Sequence, residues 1–249
     1  MFQTGLVSVS FRKLTPQEII AAAAQVNLNW IEWGSDIHAP YDDPARLEEI
    51  ARLQQESGIG CCAYGTYFRL GVHAPEELPG YIRAAKCLGT GTLRLWCGDR
   101  SPAKYAPEEL DALYAQCRRV AKIAEDAGVT LCMECHNWTL TETAESALAL
   151  MEAVDSPAFR MYYQPNQFKS TEENLRYAQL LSPYTENIHV FHWLGDDKFP
   201  LAQGLEFWEA YLSCFTGHHK LLLEFMPDGR IESLPAEAAT LMKLTGETL

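Results

Sequence analysis

The sequence has few basic residues for its acidic content and no long apolar run. Only 20 lysines and arginines oppose 33 aspartates and glutamates, which gives a formal net charge of −13. A chain this acidic repels phosphate backbones and anionic lipid, so we expect neither a nucleic-acid partner nor a membrane. No stretch reaches the roughly 18 uninterrupted apolar residues of a membrane span. The N-terminal basic residues follow the short apolar stretch there, so we expect no signal peptide.

Three kinds of motif are also missing. The sequence contains no glycine-rich phosphate-binding fingerprint and no Ser, His and Asp set typical of a nucleophilic triad. Its eight cysteines form no regular framework, which favours reduced thiols in a cytoplasmic protein. Cys132 and Cys135 have the C-x-x-C spacing of a zinc or redox motif. They lie in a strand pattern, however, where residues three apart point to opposite faces, so we interpret them as packed thiols.

Short apolar runs alternate with longer amphipathic ones along the whole chain. The apolar runs are rich in Val, Ile, Leu and aromatic residues, as expected for parallel strands covered on both faces. Capping-box patterns at Thr15–Glu18 and Ser170–Glu173 predict two of the helix starts between them. The predicted strands are residues 5–10, 30–34, 60–64, 92–97, 129–134, 160–164, 188–193 and 220–225.

The strand ends recur about every 31 residues, close to the roughly 30 residues of one βαβ unit. An open doubly wound sheet shares this alternation. Eight repeats in 249 residues match the size of a (β/α)8 barrel. We therefore predict one TIM-barrel domain over residues 1–249, in which polar residues at the carboxyl ends of strands line the active site.

Polar residues stand at the ends of the last four predicted strands. They are Glu134, Gln164, His192 and Glu224. Neighbouring strands are about 4.8 Å apart, so four such side chains can converge on one point. Two carboxylates, an imidazole and an amide suit Mn, Mg, Co or Zn better than a metal that prefers thiolates. The alternative is that each is a buried polar residue with its own hydrogen bond. Their shared position favours a metal site.

This order of residues resembles the xylose-isomerase-like TIM barrels and, within them, the sugar phosphate isomerase/epimerase family. That family includes tagatose 3-epimerase, hydroxypyruvate isomerase and inosose dehydratase. The closer marks of the resemblance are the segments 31–38 (IEWGSDIH), 64–71 (YGTYFRLG) and 94–96 (RLW), which look like one branch of that family.

The resemblance implies a divalent metal, most often Mn, held by Glu134, Gln164, His192 and Glu224. It further implies that Glu134 and Glu224 are acid/base groups on either side of a small sugar or sugar-derived substrate. The function implied is a metal-dependent isomerase or epimerase that transfers a proton through an enediolate. A dehydratase or lyase on the same site, or a non-catalytic sugar-binding barrel, remains an alternative. Relatives are dimers in this resemblance, so a homodimer is one expectation and the oligomeric state stays open.

The chain departs from the family pattern at two positions. The third-last strand of the family usually provides Asp, where this chain has Gln164, and relatives acting on free ketoses often carry His where it has Gln167. A neutral amide leaves the predicted ligands with two negative charges instead of three. We therefore expect weaker metal binding and a stronger Lewis acid. Because of the second change, the substrate of these relatives cannot be assigned to this chain.

Further polar and aromatic residues follow the predicted strands and are candidates for substrate binding. Arg69 and Arg94 are expected either to hold a carboxylate or phosphate through the guanidinium fork, or to form ion pairs within the barrel. Strand-end aromatics can stack on a sugar or belong to the core. The complete candidate set is His38, Tyr64, Arg69, Arg94, Trp96, His136, Asn166 and Trp193.

Overall fold

Eight parallel strands close into a barrel in the computed structural model, which describes residues 1–246. Taken in chain order, each barrel strand pairs with the barrel strands before and after it, and the last closes the ring against the first. The predicted TIM barrel is confirmed. The barrel strands are β1 (Phe2–Val7), β2 (Trp30–Gly34), β3 (Gly60–Leu70), β4 (Thr92–Cys97), β5 (Thr130–Glu134), β6 (Phe159–Tyr163), β7 (Thr185–Val190) and β10 (His219–Leu223).

In the part of the chain that the structure describes, eight α-helices lie in the connections between strands and after the last one. Thr15 and Ser170 cap their helices in reciprocal capping boxes, as predicted. Within residues 1–246, no helix is both long and apolar enough to cross a membrane. The helices are α1 (Pro16–Gln25), α2 (Pro44–Ser57), α3 (Leu78–Cys87), α4 (Pro107–Ala127), α5 (Ala144–Val154), α6 (Thr171–Leu181), α7 (Leu205–Leu212) and α8 (Leu234–Thr245).

The apolar residues form two layers, one between strands and helices and one smaller cluster of strand residues. The small cluster includes Cys132, Tyr162 and Leu222, each two residues before a candidate site residue and therefore on the same face of its strand. Cys135 instead packs in the larger layer, and both cysteines are free thiols, in agreement with the interpretation of two packed residues.

The strand before the last one in the barrel begins and ends three residues earlier than predicted. The predicted strand covers 188–193, whereas β7 ends at Val190. The chain then turns into a short antiparallel pair, β8 (Trp193–Leu194) and β9 (Asp197–Lys198), and Phe199 N donates to His192 O at 2.8 Å. The apolar run continues beyond the strand because its last aromatic residues belong to this hairpin.

Candidate active site

Four side chains meet inside the barrel at the carboxyl ends of its strands. Glu134 ends β5, Gln164 follows β6, His189 lies in β7 and Glu224 follows β10. His189 Nδ1 is 3.0 Å from Gln164 Oε1, 3.3 Å from Glu134 Oε1 and 3.4 Å from Glu224 Oε2. One ligand atom from each glutamate and from His189 lie within 4.8 Å of one another, as a shared metal ion would require.

The histidine at this point is His189, and the assignment of His192 to the ligand group needs correction. His192 lies beyond the end of β7, where its ring packs 5.8 Å from those of Phe199 and Phe207. A Cβ at Gly204 would lie 2.5 Å from His192 Nδ1, so helix α7 begins directly against the ring. The strand ends at Val190, so His189 faces the interior from β7, whereas His192 belongs to the loop that follows.

Two further buried residues complete the group. Glu32, in β2, places Oε2 3.1 Å from His189 Nε2 and accepts through Oε1 from Arg94 Nε at 2.7 Å. Arg94 Nη1 also donates to Glu134 Oε2 at 2.6 Å, and Trp96 Nε1 donates to the same oxygen at 2.5 Å. Arg94 therefore forms ion pairs within the barrel, which was one of its two expected roles. Glu32 was not predicted as a site residue, although it lies in one of the segments that carry the family resemblance.

The buried charges shift the pKa values of the two glutamates in opposite directions. Burial opposes ionisation of Glu134, but Arg94 and His189 lower its pKa well below the ordinary value. Burial raises the pKa of Glu224, and the neighbouring Glu134 adds to this effect while His189 opposes it. Glu134 is thus held as an anion, whereas Glu224 binds a proton more readily. Burial lowers the pKa of His189, but the carboxylates of Glu224, Glu32 and Glu134 overcome this effect and raise it to about 10.

The donor set fits a divalent cation. A neutral His189 that donates its Nε2 proton to Glu32 presents the Nδ1 lone pair to the oxygens around it. Glu134 Oε1, Glu224 Oε2 and Gln164 Oε1 would provide the oxygen ligands. An imidazole with carboxylate and amide oxygens suits Mn, Co or Zn and, with more oxygen ligands, Mg.

A cavity of about 390 Å³ opens above this group. Its walls are unusually rich in aromatic rings, and Trp138 at the mouth is 64% exposed. Polar side chains of Asn137, Asn166 and His136 line one side, and Asn166 Nδ2 donates to Asn137 Oδ1 at 2.5 Å. The aromatic lining residues are Tyr67, Trp96, Trp138, Phe168, Phe191, Trp193 and Phe225.

Five of the eight predicted substrate-binding residues line this cavity: Arg94, Trp96, His136, Asn166 and Trp193.

Three predicted substrate-binding residues lie elsewhere. Tyr64 is buried and donates its hydroxyl to Ala39 O at 2.6 Å, because β3 continues to Leu70 and places Tyr64 in the middle of a strand. His38 contacts Ser8 Oγ at 3.1 Å. Arg69 stacks on the outer side of Trp96, 4.8 Å from its ring centroid, and donates to Gly98 O.

The two histidines provide the first prediction. We expect His189→Gln to weaken Mn²⁺ binding by at least about 100-fold, because a direct ligand contributes more than the outer partners of ligands do. His192→Gln should leave the affinity unchanged, since its ring packs between loop and helix. Isothermal titration of Mn²⁺ into both variants measures the difference. An equal loss in both would contradict the placement of the ligand in β7.

The raised pKa of His189, about 10, provides the second prediction. At pH 7 the metal-free imidazole carries a proton, which a cation must displace from Nδ1. Binding should therefore release about one proton, and the apparent affinity should rise about tenfold per pH unit between pH 6 and 8. Calorimetry in buffers of different ionisation enthalpy counts the protons. A pH-independent affinity with no proton release would show that His189 is already neutral.

Comparison with known proteins identifies the family. Residues 20–215 match the model of the xylose isomerase-like TIM barrel family. No curated protein matches the sequence.

Solved structures with the same fold have low sequence identity to the chain. The probable 3-DHS dehydratase AsbF of Bacillus anthracis, involved in petrobactin synthesis, has a TM-score of 0.79 at 17% identity over 97% of this chain and 99% of its own. The IolI protein with a bound zinc atom gives 0.77 at 15%, covering 98% of each chain. The D-allulose 3-epimerase of Methylomonas sp. gives 0.72 at 15%, covering 97% and 96%. At such identities the structural likeness concerns the fold, and the match of residues 20–215 shows that the chain belongs to the xylose isomerase-like TIM barrel family.

Proposed function

We propose that this protein is a metal-dependent isomerase or epimerase of a small sugar or sugar-derived substrate. The observation that carries the proposal is the convergence of Glu134, Gln164 and Glu224 oxygens on His189 Nδ1 beneath a cavity at the barrel mouth. The lining of this cavity includes Gln164, Glu134 and Glu224, so a substrate bound in the cavity would contact the two carboxylates. Mn²⁺ is the ion we propose, held by these four side chains.

The two glutamates differ in what they can do to a substrate. Glu224 carries the raised pKa and accepts no hydrogen bond from Arg94 or Trp96, so we assign it the transfer of a proton to and from substrate carbon. Glu134 keeps Oε1 available while Arg94 and Trp96 hold Oε2, so its proposed acid/base role is secondary to holding the cation. A bound divalent ion would supply the positive charge that stabilises an enediolate.

The cavity supports a small hydroxylated substrate. A volume of about 390 Å³ lies near the lower end of the usual range for small-molecule pockets. Trp96, Trp193 and Phe225 offer ring faces for the apolar face of a sugar, and Asn166 and His136 offer polar atoms for its hydroxyl groups. The fold is shared with a D-allulose 3-epimerase, which is consistent with a sugar substrate.

A dehydratase is the second candidate, and Glu224 is the observation that favours it. A carboxyl group with a raised pKa can deliver a proton to a leaving hydroxyl group after carbon has been deprotonated. The probable 3-DHS dehydratase of B. anthracis shares the fold. Both reactions start with the same proton abstraction, so the product distinguishes them: an isomer keeps the mass of the substrate, and a dehydrated product loses one water.

The third prediction tests the proposed reaction. Incubation of Mn²⁺-loaded protein with a panel of ketoses and keto-polyols in deuterated water should exchange a carbon-bound proton in at least one compound. Glu224→Gln should reduce that exchange by at least about 100-fold, since general acid–base catalysis contributes 10²–10⁴-fold. Mass spectrometry and proton NMR measure the exchange and detect loss of water. Tight sugar binding without exchange for any ion would instead support a non-catalytic barrel.

The fourth prediction concerns the amide ligand. Gln164→Asp should tighten Mn²⁺ binding at least about tenfold, because a third carboxylate adds attraction at a buried site. Gln164→Glu, which keeps the side-chain length, tests whether the shorter Asp reaches the ion. Calorimetric titration against wild type gives both affinities. Equal or weaker binding in both variants would mean that Gln164 is not a ligand.

A further inference from the structure

We propose that Glu32 and Arg94 are positioning residues that pre-form the cation site, with Glu32 orienting the His189 ring and Arg94 fixing both Glu32 and Glu134. The inference rests on the cation site of the proposed function and assigns tasks to two residues outside the ligand set. Both are almost completely buried, with side-chain exposures of 0% and 3%. Because both side chains are buried, they act on the ligand residues through direct contacts rather than through solvent.

Arg94 joins two carboxylates through one rigid group. Its Nε donates to Glu32 Oε1 at 2.7 Å and its Nη1 donates to Glu134 Oε2 at 2.6 Å. Because the guanidinium is planar, the positions of the two carboxylates are coupled to each other. Trp96 provides a second donor to Glu134 Oε2, which leaves Oε1 as the oxygen directed to His189. The site thus fixes which oxygen of Glu134 is available to an ion.

Glu32, held by Arg94, in turn fixes the orientation of the His189 ring. One of its oxygens is bound by Arg94 and the other lies 3.1 Å from His189 Nε2. A carboxylate on one imidazole nitrogen sets the ring orientation and places the lone pair on the opposite nitrogen. That nitrogen is Nδ1, which faces the oxygens of Gln164 and Glu224. Without Glu32 the ring would lose the contact that selects Nδ1 as the ligand atom.

The neighbouring strand leaves room for the ion pair. At Gly65, in β3, an added Cβ would lie 2.6 Å from Arg94 Nη2 and 2.8 Å from Glu32 Oε1. Any side chain at Gly65 would displace the Arg94 guanidinium and the Glu32 carboxylate. The Glu32–Arg94 pair is therefore part of the barrel's packing and does not depend on a flexible surface side chain.

The opposite charges of Glu32 and Arg94 allow a positioning role to be distinguished from a purely electrostatic one. Glu32 and Arg94 carry opposite charges, so removing both leaves the net charge around the ligands unchanged. Removing Arg94 alone takes away a positive charge, which by electrostatics alone would tighten cation binding. If the two residues act by position, removing both must weaken binding although the net charge is unchanged.

The decisive experiment is titration of Mn²⁺ into Glu32→Met/Arg94→Met, Glu32→Gln and Arg94→Lys by calorimetry, with thermal melting of each variant. The double variant removes the Glu32–Arg94 pair as a unit but also takes the Arg94 partner from Glu134, so thermal melting establishes that it folds before its affinity is compared. We expect each variant to bind Mn²⁺ about 10- to 100-fold more weakly than wild type, the usual effect of losing a partner that orients a ligand. Lys keeps the charge of Arg94 but lacks the fork, so Arg94→Lys should not restore affinity.

The matched control is Glu237→Gln, another buried glutamate, which accepts from Leu201 N at 2.9 Å in a different part of the barrel. Its Mn²⁺ affinity should equal that of wild type. Affinities within threefold of wild type in the double variant and in Arg94→Lys would overturn the positioning role. If the double variant does not fold, Arg94→Lys, which keeps the charge, decides the question by the same criterion. Wild-type protein that binds no divalent ion would instead refute the cation site of the proposed function.

Discussion

The arrangement of the site depends on one buried guanidinium. Arg94 lies inside the barrel between Glu32 and Glu134, where three carboxylates and an imidazole are withdrawn from water. Burying such charges is costly unless each one is paired and hydrogen-bonded. Arg94 pairs with two of the carboxylates, and His189 lies against all three. The barrel can therefore hold three carboxylates close together at its mouth, because their mutual repulsion is offset by these pairings.

The barrel and the positions of three of the four converging side chains could be predicted because they depend on local pattern. Strands that are covered on both faces produce apolar runs. The helix caps at Thr15 and Ser170 depend on residues close by in the sequence. The positions of Glu134, Gln164 and Glu224 at strand ends could be predicted because β5, β6 and β10 end at those residues or immediately before them. The assignment failed in β7, where aromatic residues of a hairpin extend the apolar run past Val190. The error of three residues exchanged one histidine for another.

The contacts of Glu32 were beyond sequence reasoning for a different reason. Glu32 is 157 residues from His189 and 62 from Arg94 along the chain. These residues meet only because the barrel closes and its inward side chains cross the interior from β2 to β4 and β7. Strand periodicity predicts which face a residue occupies, but not which side chain it meets across the barrel. The register between strands, including the irregularity between Ile31 and Glu32, decides that contact.

The same interior contacts make the two glutamates chemically unequal. Arg94 and Trp96 both donate to Glu134, which stabilises its anion, whereas Glu224 receives neither contact and lies among negative charges. A site with two equivalent carboxylates would have no physical reason to use one as a ligand and the other as a proton carrier. Here the neighbours supply that reason: stabilising an anion lowers its basicity, and the less stabilised carboxylate is the better proton acceptor. The division of labour that we propose for Glu134 and Glu224 thus follows from residues on β4 that need never touch the substrate's reacting carbon.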